Sequence, residues 1–361
     1  MAYMRDRDAR RAQDVSASRP LSLISAGLIG VLMAFALIAI TGGSPALANE
    51  QSAAFEKKQQ KQPEAAEWLT IPFDPPIGQA LTYTLAIEKQ RPNQETKSVQ
   101  FDQQLKFEAY GDGFLLHITP QRVTIDGMTV DLLDLEQSAL LPAAITPFFL
   151  PVTVELDSYG EMVRMRDWDK LRGALESLPD MVMDRLDEEN RPGVEGAVKM
   201  VLAPILNASA QDAPAFLIEG WPQILGYGEV ELERGEPFLA QTEMDGGMMG
   251  VPINAELAMT LNLNANGDYH LRQTSTPEPE ALKQATLIFL GRVLKQQGLS
   301  DAQINAEMGQ MSMTMTDDLE AVFDRMTGLP QSATITRLIS VNTPDEQSAR
   351  GDIITITRQT P

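Results

Sequence analysis

Two histidines, His117 and His270, are the side chains whose type and position in this sequence could do chemistry. Each lies in an alternating strand pattern shortly after a Gly-Asp turn, in GDGFLLHIT and in NGDYHLRQT. Imidazole serves as a general base or a metal ligand near neutral pH, so a paired hydrolytic or metal site is one hypothesis. The apolar neighbours of each histidine share the opposite strand face, and no further ligands follow at a recognisable spacing. This pattern favours two solvent-facing histidines.

Methionine is unusually frequent, with 18 residues, and most of the clustered ones fall into two groups: Met244, Met248 and Met249, and Met308, Met311, Met313 and Met315, which are followed by Met326. Thioether side chains line adaptable apolar surfaces and also bind copper(I), so a binding groove or a copper site is one hypothesis. The other is ordinary filling of the core and the loops. The alternation of three of these methionines with Ser312 and Thr314 is typical of a strand and favours the second hypothesis.

The remaining chemical motifs are missing from the sequence. There is no G-x-S-x-G or P-loop, and the glycine run Asp245–Gly250 precedes a strand pattern rather than a helix, which is typical of a loop. One acidic cluster lies in a predicted helical run and favours a solvated face: Asp184, Asp187, Glu188 and Glu189. The chain has no cysteine, which excludes disulfides, thiolate metal sites and a cysteine nucleophile. The sequence therefore assigns no catalytic, cofactor-binding or metal-binding residue, implies no cofactor, and favours a non-enzyme.

The first 48 residues have the order of a signal peptide. Arginines between Arg5 and Arg19 precede the uncharged apolar run Leu21–Ile40, and TGGSPALA follows. Ala46 and Ala48 occupy the small-residue positions of an A-x-A site, which predicts cleavage before Asn49 and a periplasmic or secreted protein. Twenty apolar residues also suffice to cross a bilayer, so an uncleaved signal anchor in the inner membrane is the alternative. Membrane contact is expected only through residues 21–40, and only if they are retained.

Charge and composition limit the classes of partner that the rest of the chain could bind. Residues 49–66 are polar and rich in Gln, Lys and Glu, which predicts a flexible spacer. The net charge of −21 disfavours nucleic acid and anionic lipid surfaces as partners. A hydrophobic ligand or another envelope protein remains open as a partner.

Period-two hydrophobicity dominates from residue 67 onward. It is clearest from Leu81 to Ile87, from Val99 to Phe107 and from Ala255 to Leu263, with Gly/Asp turns between strands. The predicted fold class is α+β, mostly antiparallel sheet. We predict one β-rich subdomain with helices at residues 67–225 and a second, with one long helix, at residues 226–361.

Helices are predicted where the apolar period changes to three or four. One is expected to begin at Asp167 as its N-cap and to be broken or kinked at Pro179, and another to cover Val194–Leu206 after a break at Arg191–Gly193. Residues 207–222 contain Pro214, Gly220 and Pro222, which predicts a loop. The long helix of the second half is expected over Glu278–Gln297.

Two stretches share an order of strands, ending in VELDSYGEMVRMR and in AVFDRMTGLPQSATITR, each with an Asp-x-x-x-Gly turn or a close variant. Either the domain consists of two related curved sheets with helices packed between or on them, or the two stretches are alike only as hairpins are. Through Ile77-Gly78, Asp157–Gly160 and Asp324–Pro330, the chain resembles exported bacterial proteins grouped as domains of unknown function. The resemblance implies a β-rich exported protein and carries no catalytic residue.

The expected function is a non-catalytic binding or assembly role in the cell envelope. A hydrophobic ligand is the best-motivated class, because a curved sheet covered by helices can enclose an apolar cavity, by analogy with the half barrels of lipoprotein carriers. The alternative is a periplasmic hydrolase or metal-binding protein that uses His117 and His270. A large apolar cavity would favour the first, and a histidine beside a carboxylate in a cleft would favour the second.

Overall fold

A computed structural model of the chain describes residues 66–91, 94–125, 127–139, 141, 146–184, 191–244, 252–296, 312–342 and 347–360. The strands in this part of the chain are β1 Trp68–Thr70, β2 Ala80–Gln90, β3 Lys97–Tyr110, β4 Gly113–Ile125, β5 Met128–Asp131, β6 Val152–Leu156, β7 Met162–Met165, β8 Glu231–Glu233, β9 Phe238–Met244, β10 Ile253–Leu263, β11 Tyr269–Pro277, β12 Ser312–Phe323, β13 Pro330–Asn342 and β14 Gln347–Arg358. The helices are α1 Leu135–Ser138, α2 Trp168–Glu176, α3 Leu178–Met183, α4 Arg191–Asn207, α5 Ala213–Leu217, α6 Trp221–Ile224 and α7 Pro279–Gln296, with a 3-10 helix at Thr146–Phe149.

Twelve of these strands form one antiparallel sheet in the order β7-β6-β4-β3-β2-β14-β13-β12-β11-β10-β9, with β5 on the side of β4. The short strands β1 and β8 pair separately. The predicted antiparallel character is confirmed, and a mostly-β class describes the fold better than α+β. The strands predicted as two sheets are joined along β2 and β14, where Ile87 lies opposite Ile354. Local periodicity reports single strands and hairpins, so it gives no sign of a pairing between such distant segments. The division into 67–225 and 226–361 stays a prediction.

One face of the sheet, here called the inner face, packs against the helices. Alternate residues of β2 from Leu81 to Ile87 are buried on it, as the period-two pattern predicts. Trp221 of α6 meets Tyr83 edge to face, with ring centroids 5.0 Å apart, and donates its indole N–H to Gln103 Oε1 at 2.9 Å. These contacts fix the segment that contains α5 and α6 over the centre of the sheet.

The predicted first helix is confirmed as α2. Three residues of its predicted apolar face are buried, Trp168, Leu171 and Leu175. It ends at Glu176, before the expected break, and Pro179 lies in the first turn of α3. Proline is tolerated there because the first helical N–H groups have no acceptor within the helix. Asp167 is the N-cap residue, as predicted, although its carboxylate makes no capping hydrogen bond.

The same property of proline explains two further errors. Arg191–Gly193, predicted as a break, forms the start of α4. Residues 207–222, predicted as a loop, contain α5 and the start of α6, with Pro214 and Pro222 in their first turns. In a sequence, a proline that begins a helix is easily taken for one that ends it.

The long helix of the second half is confirmed as α7. Its residues Leu282 and Ala285 bury against the ends of β9, β10 and β12 in a small apolar cluster, here called the α7 cluster: Met244, Ile253, Ala255, Leu282, Ala285 and Met315. This cluster is separate from the main core, which lies under α2–α6. The sheet thus carries two apolar regions on its inner face.

Several predictions lie outside the described residues: the signal segment 1–48 with Ala46, Ala48 and Asn49, nearly all of the spacer 49–66, Asp245 to Gly250, Met308 and Met311, and Asp187 to Glu189. They stay predictions. Within the ranges given above, no helix is both long and apolar enough to cross a membrane.

Candidate functional site

His117 lies on β4 and points to the outer face, because its neighbours Leu116 and Ile118 are buried on the inner one. Its Nε2 lies 3.3 Å from Glu108 Oε2, and its Nδ1 lies 3.1 Å from Thr153 Oγ1 on β6. The glutamate is well exposed. The histidine therefore does sit beside a carboxylate, but on the surface of the sheet rather than in a cleft.

His270 occupies a similar position on β11. Its Nε2 lies 2.8 Å from Glu320 Oε1, and Arg272 donates to the same oxygen at 3.0 Å. Hydrogen bonds from Arg272 first and from His270 second lower the pKa of Glu320 below its ordinary value. Five strands of the sheet separate β4 from β11, so the two histidines do not form one site. Among the residues that the structure describes, no group of three or more potential ligands could hold a metal ion.

The site that the sequence reasoning missed is a row of polar residues on the inner face. Reading across the sheet, Lys89 lies opposite Asp352, Asp352 opposite Arg337, Arg337 opposite Asp317, and Asp317 opposite Ser275. These five residues, on β2, β14, β13, β12 and β11, are here called the inner row. Directly opposite residues share a face, so the row alternates positive and negative charge among buried side chains. Lys89, Ser275, Arg337 and Asp352 are all less than 10% exposed.

The carboxylates of the inner row are each held by arginine. Arg337 donates Nε and Nη2 to the two oxygens of Asp317, a two-pronged pair whose geometry is specific to guanidinium. Asp352 accepts from Arg91 Nη1 at 2.9 Å through one oxygen and from Arg350 Nη2 at 3.0 Å through the other. Burial alone would raise the pKa of Asp352, but Arg350 and Arg91 outweigh it, and the pKa lies below its usual range.

The helical segment adds one more carboxyl group. Glu219, between α5 and α6, lines the same cavity as Lys89, Arg337 and Asp352. Burial raises the pKa of Glu219 to about 8, although Lys89 and then Arg337 oppose the shift. Burial also lowers the pKa of Lys89 to about 8, against the opposing fields of Glu219 and Asp352. Both shifts have the same origin, since a low dielectric disfavours the charged form of either group.

A cavity of about 60 Å³ lies between the inner row and the helical segment. Its apolar wall consists of Ile87, Met244, Leu319, Ile335 and Ile354, and its polar wall is the inner row with Glu219, Gln223, Gln273 and Asp318. Leu319, Ile335 and Ile354 belong to the main core or pack against it, and Met244 belongs to the α7 cluster. The cavity therefore lies at the border between the two apolar regions, with charge on one side.

The sequence did contain a sign of the inner row. In β13, Ala333, Ile335 and Ile339 occupy inner positions, and Arg337 falls in the same phase. Asp317 interrupts the inner series of β12 in the same way, between Met315 and Leu319. A charged residue in the buried phase of a strand is costly unless it is paired, so such positions mark a partner on the next strand.

The structure brings members of both methionine groups together. Met244 and Met315 are both buried in the α7 cluster, and Met313 packs beside them. Met326 is 78% exposed in the turn after β12 and takes no part. For Met244, Met313 and Met315, filling of an apolar region under α7 accounts for their position.

The chain was compared with known proteins. No protein-family profile matches it, and no curated protein does. Among solved structures it is similar to a lipovitellin chain, from work on lipid–protein interactions in lipovitellin, with a TM-score of 0.40 and 9% sequence identity. The similar region covers 79% of this chain and 25% of the lipovitellin chain, so this chain spans about a quarter of that structure's length.

Proposed function

We propose that this chain is an exported, non-catalytic protein of the cell envelope that binds an amphipathic ligand between the inner face of the sheet and its helices. The observation that supports the proposal is the cavity, which has an apolar wall on one side and paired charges on the other. Concave sites that combine apolar walls with a few placed polar groups are the usual form of small-molecule sites. Export is proposed from the basic, apolar and small-residue order of residues 1–48.

An apolar chain needs more room than the cavity gives. Its volume is about 60 Å³, whereas sites for drug-sized ligands hold roughly 300–1,000 Å³. The region that can open is the α7 cluster, because its buried surface comes from two methionines, two alanines and only two larger aliphatic residues. Separation of α7 from β10 and β12 would join the cavity to this region and leave the main core intact. Methionines on the sheet side can repack around a ligand.

A hydrolase or metal site built from both histidines is the weaker proposal. His117 and His270 point to the outer face, and five strands lie between them. Each could act only by itself, beside one exposed glutamate.

Native mass spectrometry of the protein purified from its own envelope tests the proposal. We expect a bound small amphiphile that organic solvent extracts. Ile335→Phe, which fills the apolar wall of the cavity, should lower the bound fraction. Leu338→Phe is the matched control on the same strand, because Leu338 is 50% exposed. Protein that carries no small molecule from its native envelope, or equal occupancy in both variants, would contradict the proposed site.

A further inference from the structure

The sheet curls around the cavity. Ile87 on β2 and Met244 on β9 both line it, although six strand spacings separate β2 from β9 in the sheet order. In a flat sheet these strands would lie roughly 29 Å apart, because neighbouring strands are about 4.8 Å apart. A single cavity of about 60 Å³ touches both residues because the inner face is strongly concave. Met244 thus reaches the cavity from the far end of the sheet.

Met244 is a boundary that the cavity shares with the α7 cluster. Among the residues that the structure describes, it is the one that both lines the cavity and is buried in that cluster. It is 4% exposed and pairs with Ile253 at the end of β9. The cluster also lies next to the inner row along β12, because Met315 is two residues from Asp317 in the same phase, about 7 Å away. One side chain therefore separates two neighbouring apolar regions.

This boundary is the most adaptable part of the apolar wall of the cavity. The other four members of the wall are all branched: Ile87, Leu319, Ile335 and Ile354. Isoleucine is stiff at χ1, whereas methionine is unbranched and has three rotatable bonds. A change of rotamer at Met244 can therefore connect the cavity to the α7 cluster while the branched residues keep their positions.

The shape of the space that Met244 leaves determines what can enter it. A methionine side chain is itself an unbranched chain, so this space has the cross-section of a single hydrocarbon chain. Beyond it, Ala255 of β10 and Ala285 of α7 are buried, and each presents only a methyl group. At the packing density of a protein interior, such a slot has no room for a branch or a ring.

We propose that Met244 moves to admit one unbranched alkyl or acyl chain, which runs from the cavity into the α7 cluster between Ala255 and Ala285. This inference rests on the proposed function, since it names the chain class of the same ligand. The polar end of the ligand stays in the cavity, whose lining includes Gln273 and Ser275.

A series of straight-chain alcohols from octanol to tetradecanol tests the length of the slot, and isothermal titration calorimetry measures their affinities. These probes are uncharged, so the ion pairs of the inner row affect all of them alike. Wild-type affinity should rise about fourfold per methylene while the chain stays inside the protein, and then level off. Met244→Ala should move this limit to a longer chain. Met244→Leu, which keeps the volume but is branched, should move it to a shorter one.

A branched probe tests the width of the slot. The alcohol 2-butyloctanol is an isomer of dodecanol, with the same atoms and the same hydroxyl group. It should bind the wild-type protein at least about tenfold more weakly than dodecanol, as a misfit in a hydrophobic pocket does. Met244→Ala should narrow this difference.

Met165 supplies the matched control. It is 1% exposed and lies in the main core on β7, at the opposite end of the sheet from β9. Met165→Ala and Met165→Leu make the same chemical changes away from the cavity. Both should keep the wild-type length limit and the wild-type preference for the straight chain.

The outcomes separate the two proposals. An unchanged length limit in both Met244 variants, or equal binding of dodecanol and its branched isomer to the wild type, would overturn the inference and leave the proposed function standing. Equal shifts in the Met165 and Met244 variants would do the same. If no alcohol binds, the inference is overturned, and if the native protein also carries no amphiphile, the proposed function is overturned with it.

Discussion

Arg337 of β13 and Asp317 of β12 lie directly opposite each other on the inner face and form a two-pronged ion pair among buried side chains. Removing one partner leaves the other charge buried without compensation. We expect Arg337→Met to lower the free energy of unfolding by about 3 kcal/mol, and Arg337→Met with Asp317→Leu to recover most of that loss. Urea denaturation measures both.

An exposed pair supplies the control for this prediction. Arg272 and Glu320 bridge β11 and β12 on the outer face, 3.0 Å apart, and both are more than half exposed. Arg272→Met should cost less than about 1 kcal/mol because solvent screens such pairs. Equal losses in Arg272→Met and Arg337→Met would show that burial of the inner row has no energetic consequence.

Glu219 predicts a pH dependence of stability with a definite sign. Its pKa is raised to about 8 in the folded protein, so between its ordinary value of 4.5 and pH 8 the folded state binds more protons than the unfolded one. Stability from this group is full below pH 4.5 and is lost as the pH rises toward 8. Glu219→Gln should therefore flatten the decline in the urea midpoint between pH 5 and pH 8.

Lys89 changes the stability of the fold in a higher pH range than Glu219 does. Its lowered pKa of about 8 means that its contribution is present above 10.5 and is lost as the pH falls through 8, so it adds no slope between pH 5 and pH 7. The exposed Glu236 gives the matched control, and Glu236→Gln should keep the wild-type pH profile. A wild-type slope in Glu219→Gln would assign the pH dependence to other groups.

Gly220 fixes the approach of the helical segment to the sheet. It has φ +78°, and a Cβ there would lie 2.9 Å from Ile356 Cδ1 and 3.1 Å from Ile354 Cγ2. Gly220→Ala should cost about 1–3 kcal/mol through backbone strain and crowding. Gly173, inside α2 with open space around it, is the control, and Gly173→Ala should gain about 0.5–1 kcal/mol. Thermal melts of the two variants should move in opposite directions.

We expect His117 and His270 to contribute little to the stability of the fold. Because both lie on the outer face, His117→Gln and His270→Gln should each change the free energy of unfolding by no more than about 0.5 kcal/mol. Leu271→Ala, at a buried position beside His270, should cost about 2–5 kcal/mol and shows that the assay responds. A folded double histidine variant that loses ligand binding or the native phenotype would restore the hydrolase or metal hypothesis.

The signal segment predicts a processing defect. Ala48→Leu should block cleavage before Asn49, since the peptidase accepts only small side chains at that position. N-terminal sequencing of the wild-type and variant proteins measures it. Wild-type protein that retains residues 1–48 would favour the signal anchor.

Local order was predictable from the sequence, whereas long-range order was not. The strand from Ala255 to Leu263 and the helix over residues 279–296 follow from periodicity, because burial of one face determines the pattern. The helices at Pro214 and Pro222 were missed because a proline fits a first helical turn as well as a loop. The inner row was missed because its members come from five strands, and each charge has meaning only once the register places Arg337 beside Asp317 and Asp352.

The pairing of β2 with β14 also bears on how the molecule folds. Arg91 and Asp352, which meet across this seam, are 261 positions apart in the chain. The β2–β14 pairing at the centre of the sheet therefore joins segments that are very far apart in the chain, and closure of so long a loop is slow. The strands that precede β14 can form hairpins before the chain is complete, but the inner row lacks Asp352 until β14 is present. We therefore expect binding competence to be acquired in the final step of folding, after both flanks of the sheet have formed.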